Sequence, residues 1–165
     1  MSPEADADRA LESYQSFTDQ FGSVVLATAD CDGQPQASYA SCVVDEGRNI
    51  YIFVSGRSAH TQNLTAAGRV SVLFVEDESK TTQMFARKRL SYDCTATLLE
   101  RGSAQWEAIA QTFLDKFGNI VEVMIGLPDF RIFQLKPHSG RFVMGFGAAY
   151  DVDPNDLNRL IHVKG

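Results

Sequence analysis

Three basic residues in a row, Arg87, Lys88 and Arg89 in MFARKRL (84–90), interrupt a chain whose formal charge is −6. A guanidinium is a planar fork that grips phosphate or carboxylate through paired hydrogen bonds, so this run points to an anionic ligand. Alternate strand residues face opposite sides, which predicts that Arg87 and Arg89 converge while Lys88 points away. The same run equally fits a solvated strand end that discourages edge pairing. A second cluster, SGRSAH (55–60), sets Arg57, Ser58 and His60 where a strand gives way to a short helix. Free N–H groups at a helix start, a hydroxyl and cationic side chains make a phosphate or propionate cradle. The plainer reading is a Ser58 cap beside a solvated Arg57.

Other candidates are more isolated. Tyr39 and Ser41 share one strand face, with Ser38 on the other, and offer a polar pocket wall. Asp129, after Pro128 in GLPDF, is either a carboxylate that orients a water or ligand, or a turn residue. His138 falls in an expected PHSG turn and is predicted to be exposed; His162, in LIHVKG, is a metal ligand or a helix-end histidine. No GxSxG elbow, HExxH or P-loop occurs, so an enzymatic reading requires a cofactor to carry the hard chemistry.

The elements that must position these residues follow from patterning. Leu11, Tyr14, Phe17 and Phe21 recur at helical spacing, which predicts an N-terminal helix over about 3–21, stopped by Gly22. SVVLATA and QASYASCVV, joined by DCDGQP, read as a hairpin; IYIFVS is a third strand. A short helix runs from a Ser58 cap to Gly68, and RVSVLFVED and RLSYDCTATLLE are the next strands. A helix with Trp106, Ile109, Phe113 and Phe117 on one face spans Ser103 to Gly118. FRIFQLKP and GRFVMGF are expected as two strands around PHSG, and Asp153-Pro154 as the start of a C-terminal helix over about 154–161. Strands dominate and hairpins connect most of them, which predicts a mainly β, antiparallel, Greek-key-like barrel within a single domain, 1–165.

Whole-chain properties bound the function. The acidic balance argues against nucleic-acid binding, which is driven by clustered Lys and Arg. Cys31, Cys42 and Cys94 are three in number and widely spaced, which predicts buried free thiols and no zinc site. No apolar run is long enough to span a membrane and the N-terminus lacks a signal pattern, so the chain is expected in the cytoplasm.

Taken together, VVLATADCDGQPQASYA, IYIFVSGRSAHTQNL, VSVLFVED, MFARKRL, DFRIFQLKPHSGRFVMGFGAAY and DLNRL resemble the heme-utilisation proteins of the pyridoxamine-phosphate-oxidase-like, FMN-binding split-barrel superfamily. The resemblance runs from about Phe17 onward. The ATxDxxGxPxxS-like start is general to the superfamily, whereas MFARKRL with LPDF and VMGFGAAY is more particular to the heme branch. It implies a homodimer of split β-barrels with the ligand in a cleft between subunits. Arg87 and Arg89 would contact heme propionates, His60 would lie beside the heme and Asp129 would tune the iron's surroundings. In such relatives the axial histidine comes from a C-terminal tail; here His162 is the histidine near that place. Flavin-binding relatives carry a lysine on the FMN phosphate where this chain has His60. The expected function is heme binding, with oxidative degradation using an external electron donor and storage or transfer both open. The alternatives are an FMN-dependent oxidoreductase using Arg57, Ser58, Arg87 and Lys88, and a cofactor-free binding or regulatory dimer.

Overall fold

The structure, a computed structural model, describes residues 3–164. Helix α1 (Pro3–Phe17) begins with Glu4 and Asp6 in its first turn, where the helix dipole favours acids. It buries Ala10, Tyr14 and Phe17. The α-helix ends before the expected residue 21, because Thr18–Gln20 tightens into a 3₁₀ turn and Phe21 is already extended.

Strands β1 (Ser23–Ala29), β2 (Pro35–Val44) and β3 (Ile50–Ser55) form a meander. Helix α2 (Ala59–Ala67) then carries the chain to β4 (Arg69–Val75), which pairs with β1 rather than β3. That return is a Greek key. β5 (Arg89–Leu98) and β6 (Phe130–Gly145) follow, and β6 pairs back onto β3. The six strands, in the order β3-β2-β1-β4-β5-β6, therefore close into an antiparallel barrel, as the sequence predicts. Closure removes free strand edges among them.

Burial explains the patterning. β1 alternates exposed and buried positions because only its inner face, Val24 and Leu26, meets the core. β3 is buried on both faces: Ile50, Ile52 and Val54 fill the barrel, while Tyr51 and Phe53 pack outward. The outward pair meets Trp106, Ala110 and Phe113 of α3 (Ala104–Phe117) and Val121 of α4 (Ile120–Ile125). Ser103 caps α3 by accepting the Trp106 N–H, 3.2 Å away.

Two expectations are corrected. PHSG makes no turn: β6 is one strand of 16 residues that passes straight through it. The β5–β6 register slips between Asp93 and Cys94, so His138 is the extra residue of a bulge beside Pro137, which has no N–H for the ladder. Gly140 seals the pairing, since a Cβ there would lie 2.6 Å from the Ser91 carbonyl oxygen. The second correction concerns the C-terminus, where the helix over about 154–161 is instead a hairpin, β7 (Ala148–Asp153) with β8 (Asp156–His162). The Asp153 carboxylate accepts the Asn155 N–H at 2.8 Å and closes a tight turn, using the Asp-Pro pair as a turn signal rather than a helix cap. β7 and β8 extend the sheet beyond the closed barrel, and α1 packs on β8. Tyr14 ties these parts together: its hydroxyl donates to the Leu157 carbonyl at 2.7 Å and lies 2.6 Å from the Tyr92 hydroxyl.

Candidate functional site

The corner where β3 meets α2 holds the first group of candidates. Gly56 donates its N–H to the Asp129 carbonyl at 2.6 Å, and a Cβ at Gly56 would stand 2.8 Å from that oxygen, so the two chain segments approach only because residue 56 is glycine. This contact sets the Asp129 carboxylate within 3.3 Å of the Ser55 hydroxyl and 3.8 Å of the Arg57 guanidinium. Arg57 is 91% exposed and Asp129 39%, so the pair is solvated and its charges are available to a ligand. Ser58 stands at the N-terminus of α2, but its hydroxyl makes no capping bond.

His60 turns away from Arg57 and Asp129. Its Nδ1 lies 3.0 Å from the Ser38 hydroxyl, and its buried Nε2 has no hydrogen-bond partner. Burial holds its pKa below the ordinary histidine value, so the ring is neutral near pH 7. Tyr39, the neighbour of Ser38, faces the other way and is 70% exposed on the outside of the barrel.

The basic run lies elsewhere. Along β6, Phe130 pairs with Ser55 while Val143 pairs with Arg89, so roughly 40 Å of strand contour, at about 3.3 Å per residue, separates the two groups. Arg87 precedes β5 and is already occupied: its Nε donates to the Glu76 carbonyl at 2.6 Å and its Nη1 meets the Glu78 carboxylate at 3.3 Å. Arg89 donates to the Arg87 carbonyl at 2.9 Å, which places its head beside the Arg87 backbone. Lys88 points to α1 and donates to Ser13 at 3.2 Å. Arg87 and Lys88 line different hollows, one with Asp77 and Lys80, the other with Met144 and Phe146.

His162 opens onto a third place, a notch of about 660 Å³ between α1 and the β6–β8 strands. Its Nε2–H donates to the Gly147 carbonyl at 2.9 Å, which leaves Nδ1 as the nitrogen outside that bond. The Tyr150 ring lies 5.1 Å away and steadies it. Met144, Gly145 and Phe146 belong both to this notch and to the hollow beside Lys88, so the basic strand and His162 border one continuous surface. Sequence reasoning singled out His162 but not Met144, Phe146, Arg9 or Lys164, which share its notch, nor Ser55, the partner of Asp129.

Nucleophilic cysteine chemistry has no support. Burial pushes the Cys42 thiol up to about 11 and Cys94 up to about 12, so both stay protonated near neutrality. Cys31, expected to be buried, is exposed in the β1–β2 turn, where Asp30 organises the backbone and no core contact is required. His138 is exposed as predicted and hydrogen-bonds the Thr95 hydroxyl. Among the described residues no cluster of His, Cys, Asp and Glu could hold a metal ion by itself, and no helix is long and apolar enough to cross a membrane.

A closed six-stranded Greek-key barrel with flanking helices, and with polar candidate residues at its ends, defines a protein of the split-barrel class. Residues 10–144 match the family model described as Pyridoxamine 5'-phosphate oxidase, and the chain belongs to that family. It is 36% identical over 156 residues to heme oxygenase HutZ of Vibrio cholerae serotype O1, a match covering 94% of this chain and 88% of that protein. The crystal structure of HutZ, there called a heme storage protein, matches with a TM-score of 0.72 at 33% identity over 76% of this chain and 88% of the other. The structure of Campylobacter jejuni ChuZ matches with a TM-score of 0.83 at 33% identity; the match covers 94% of this chain and 63% of that one. A heme binding protein from Mycobacterium smegmatis shares the fold, with a TM-score of 0.78 at 22% identity, covering 90% of this chain and 60% of that one.

Proposed function

We propose that this chain binds heme in heme utilisation and works as a homodimer in the cytoplasm. The observation that carries the reading is the 36% identity, over nearly the whole chain, to a protein named as a heme oxygenase. The chemistry of the residues fits. Lys88 and Arg89 can meet carboxylates, and the surface that Lys88 shares with His162 has apolar walls in Met144 and Phe146. The corner that a flavin phosphate would need is less suited: His60 is neutral and bound to Ser38, where a phosphate favours a cation.

Two features support the dimer. α3 covers the outer face of β2 only at its Val43 end, and beyond it Val25, Ala27, Ala37, Tyr39 and Ser71 of β1, β2 and β4 are exposed side by side. A two-fold axis on such a face buries the same patch from both protomers. Asp129 and Arg89 sit at opposite ends of β6, so one ligand touched by both requires the Asp129 corner of one protomer and the basic strand of its partner. Free thiols at Cys31, Cys42 and Cys94 suit a reducing compartment.

Heme, when bound, supplies a redox-active iron that handles dioxygen with electrons from an external donor. The chain's own part is positioning. Arg89 and Lys88 hold carboxylates, His162 presents Nδ1, and Asp129, oriented by Ser55, accepts a hydrogen bond from a water or holds a proton near the ligand. Hemin titration of the purified protein is expected to give a saturable Soret band, and gel filtration a dimer. Decay of that band with ascorbate and dioxygen would mark degradation; a stable band would mark storage. Absence of a Soret band in a yellow preparation that releases FMN on denaturation would replace this reading with a flavin oxidoreductase.

A further inference from the structure

We propose that Tyr39 of each protomer seats in a socket beside Asp93 of the other, with the exposed face of β1, β2, β4 and β5 as the surface that pairs. The proposal rests on the homodimer reading above and names the knob, the socket and the charges that set the register of the two protomers.

Strand pairing lays the face out in rows. Tyr39, Val25, Leu73 and Ser91 form one row across β2, β1, β4 and β5; Ala37, Ala27, Ser71 and Asp93 form the next. Up to Asp93 the second row has only small side chains, so a second sheet can approach closely there. Tyr39 rises from the first row and is 70% exposed. A phenol ring beside alanines and serines gains by burial, and its hydroxyl needs an acceptor once it is buried.

The acceptor stands at the other edge of the face. A socket of about 630 Å³ opens beside β5, with Ala27, Ala29, Ala67 and Ser71 among its walls and Asp93 within reach of it. The Asp93 carboxylate accepts the Ser71 hydroxyl and, at 3.4 Å, the Ser139 hydroxyl, and it meets no cation among the described residues. Ala27 and Ser71 belong to both the socket and the face. A two-fold axis along the strands, between β1 and β4, exchanges the β2 and β5 edges and lays the two sheets face to face. The partner's Tyr39 then lies over β5, its ring against the alanines and its hydroxyl donating to Asp93, and the contact forms twice.

The same axis sets β1 of one protomer over β4 of the other. Arg69 begins β4, is exposed and forms no ion pair among the described residues; β1 runs into a turn that carries Asp30 and Asp32, also without ion pairs. Arg69 thus faces the acidic turn of the partner, a contact that fixes register more than it adds affinity. β3, which ends at the Asp129 corner, neighbours β2, so the exchange also carries this corner toward the partner's β5, which starts at Arg89.

The dimer dissociation constant, measured by analytical ultracentrifugation over a dilution series, tests the arrangement. Tyr39→Ala is expected to raise it about thirtyfold and Tyr39→Phe about fivefold. Arg69→Glu and Asp32→Arg should each raise it about tenfold, and the two together should return it to within about threefold of the wild type. Glu107→Lys, at an exposed position of α3, should leave it unchanged. All of these side chains are exposed, so the variants should fold. Dimers of Tyr39→Ala and Arg69→Glu as tight as the wild type overturn the interface and leave a dimer through another face. A double variant no tighter than the single ones overturns the register. A wild type that is monomeric at micromolar concentration overturns the homodimer reading, and the interface with it.

Discussion

The α2 corner and the α1–β8 notch are both polar places on one barrel, and they are organised in opposite ways. At the corner most of the groups have partners within the fold, the buried His60 Nε2 excepted. Ser38 holds His60, Ser55 and Arg57 face Asp129, and the Thr61 hydroxyl donates to the Ser55 carbonyl at 2.6 Å. At the notch the cations Arg9 and Lys164 are without ion pairs among the described residues, and the aromatic Phe146 is without cover. A satisfied network rigidifies a fold, whereas an open, unpaired set of charges and rings favours a ligand. The corner is therefore a largely fixed wall around the Asp129 carboxylate, and the notch a surface left open.

Four changes would break or sharpen this contrast. The largest effect is expected beneath the notch, where Phe142 is fully buried between the Tyr14 and Phe17 rings, each with its centroid 5.6 Å away. Phe142→Ala should cost about 3–5 kcal/mol in urea denaturation and remove the notch along with the stability. Next is His60→Lys, which places a flavin-type cation where burial disfavours charge. It should cost roughly 1–3 kcal/mol and, if the corner can open, raise FMN affinity as read by flavin fluorescence quenching.

The third change is in pH. Because burial lowers the folded-state pKa of His60 below its ordinary 6.5, the unfolded chain binds the proton first as pH falls. The wild type should lose stability from about that pH downward until the folded-state pKa is passed, and melting curves of His60→Gln should lack this component. The smallest effect on stability is expected for Asp129→Asn. Its pair with Arg57 is solvated, so the unfolding free energy should change by no more than about 1 kcal/mol, while hemin loss in ascorbate should slow. An equal rate in Asp129→Asn would remove the carboxylate from the chemistry and leave it a turn residue.

Much of the fold was legible because local and global signals agree. In β1 the period-two pattern of Val24 and Leu26 matches a strand covered on one side, and in α3 Trp106 and Phe113 mark the buried face as their spacing predicts. The failures occur where one local signal serves two structures. Asp153-Pro154 suits a helix start and a hairpin turn alike, and pairing with β7 decides for the turn. Pro137 and Gly140 look like a turn but flank a bulge inside one strand, and Gly140 is glycine because the Ser91 carbonyl leaves no room for a Cβ. The run Arg87 to Arg89 was visible, but not that the Glu76 carbonyl and the Glu78 carboxylate engage Arg87 across the loop.

By itself the sequence determined the barrel, the helices α1 to α3 and the inventory of anion-seeking side chains, since these depend on residue type and on spacing over a few positions. Only the tertiary structure decided which of them stand together. It separated Arg57 and Asp129 from the basic strand by the length of β6, turned His60 inward to Ser38, and joined Arg9 to Lys164 from the two ends of the chain. Closing a barrel makes neighbours of residues far apart in sequence, and no local pattern encodes that pairing.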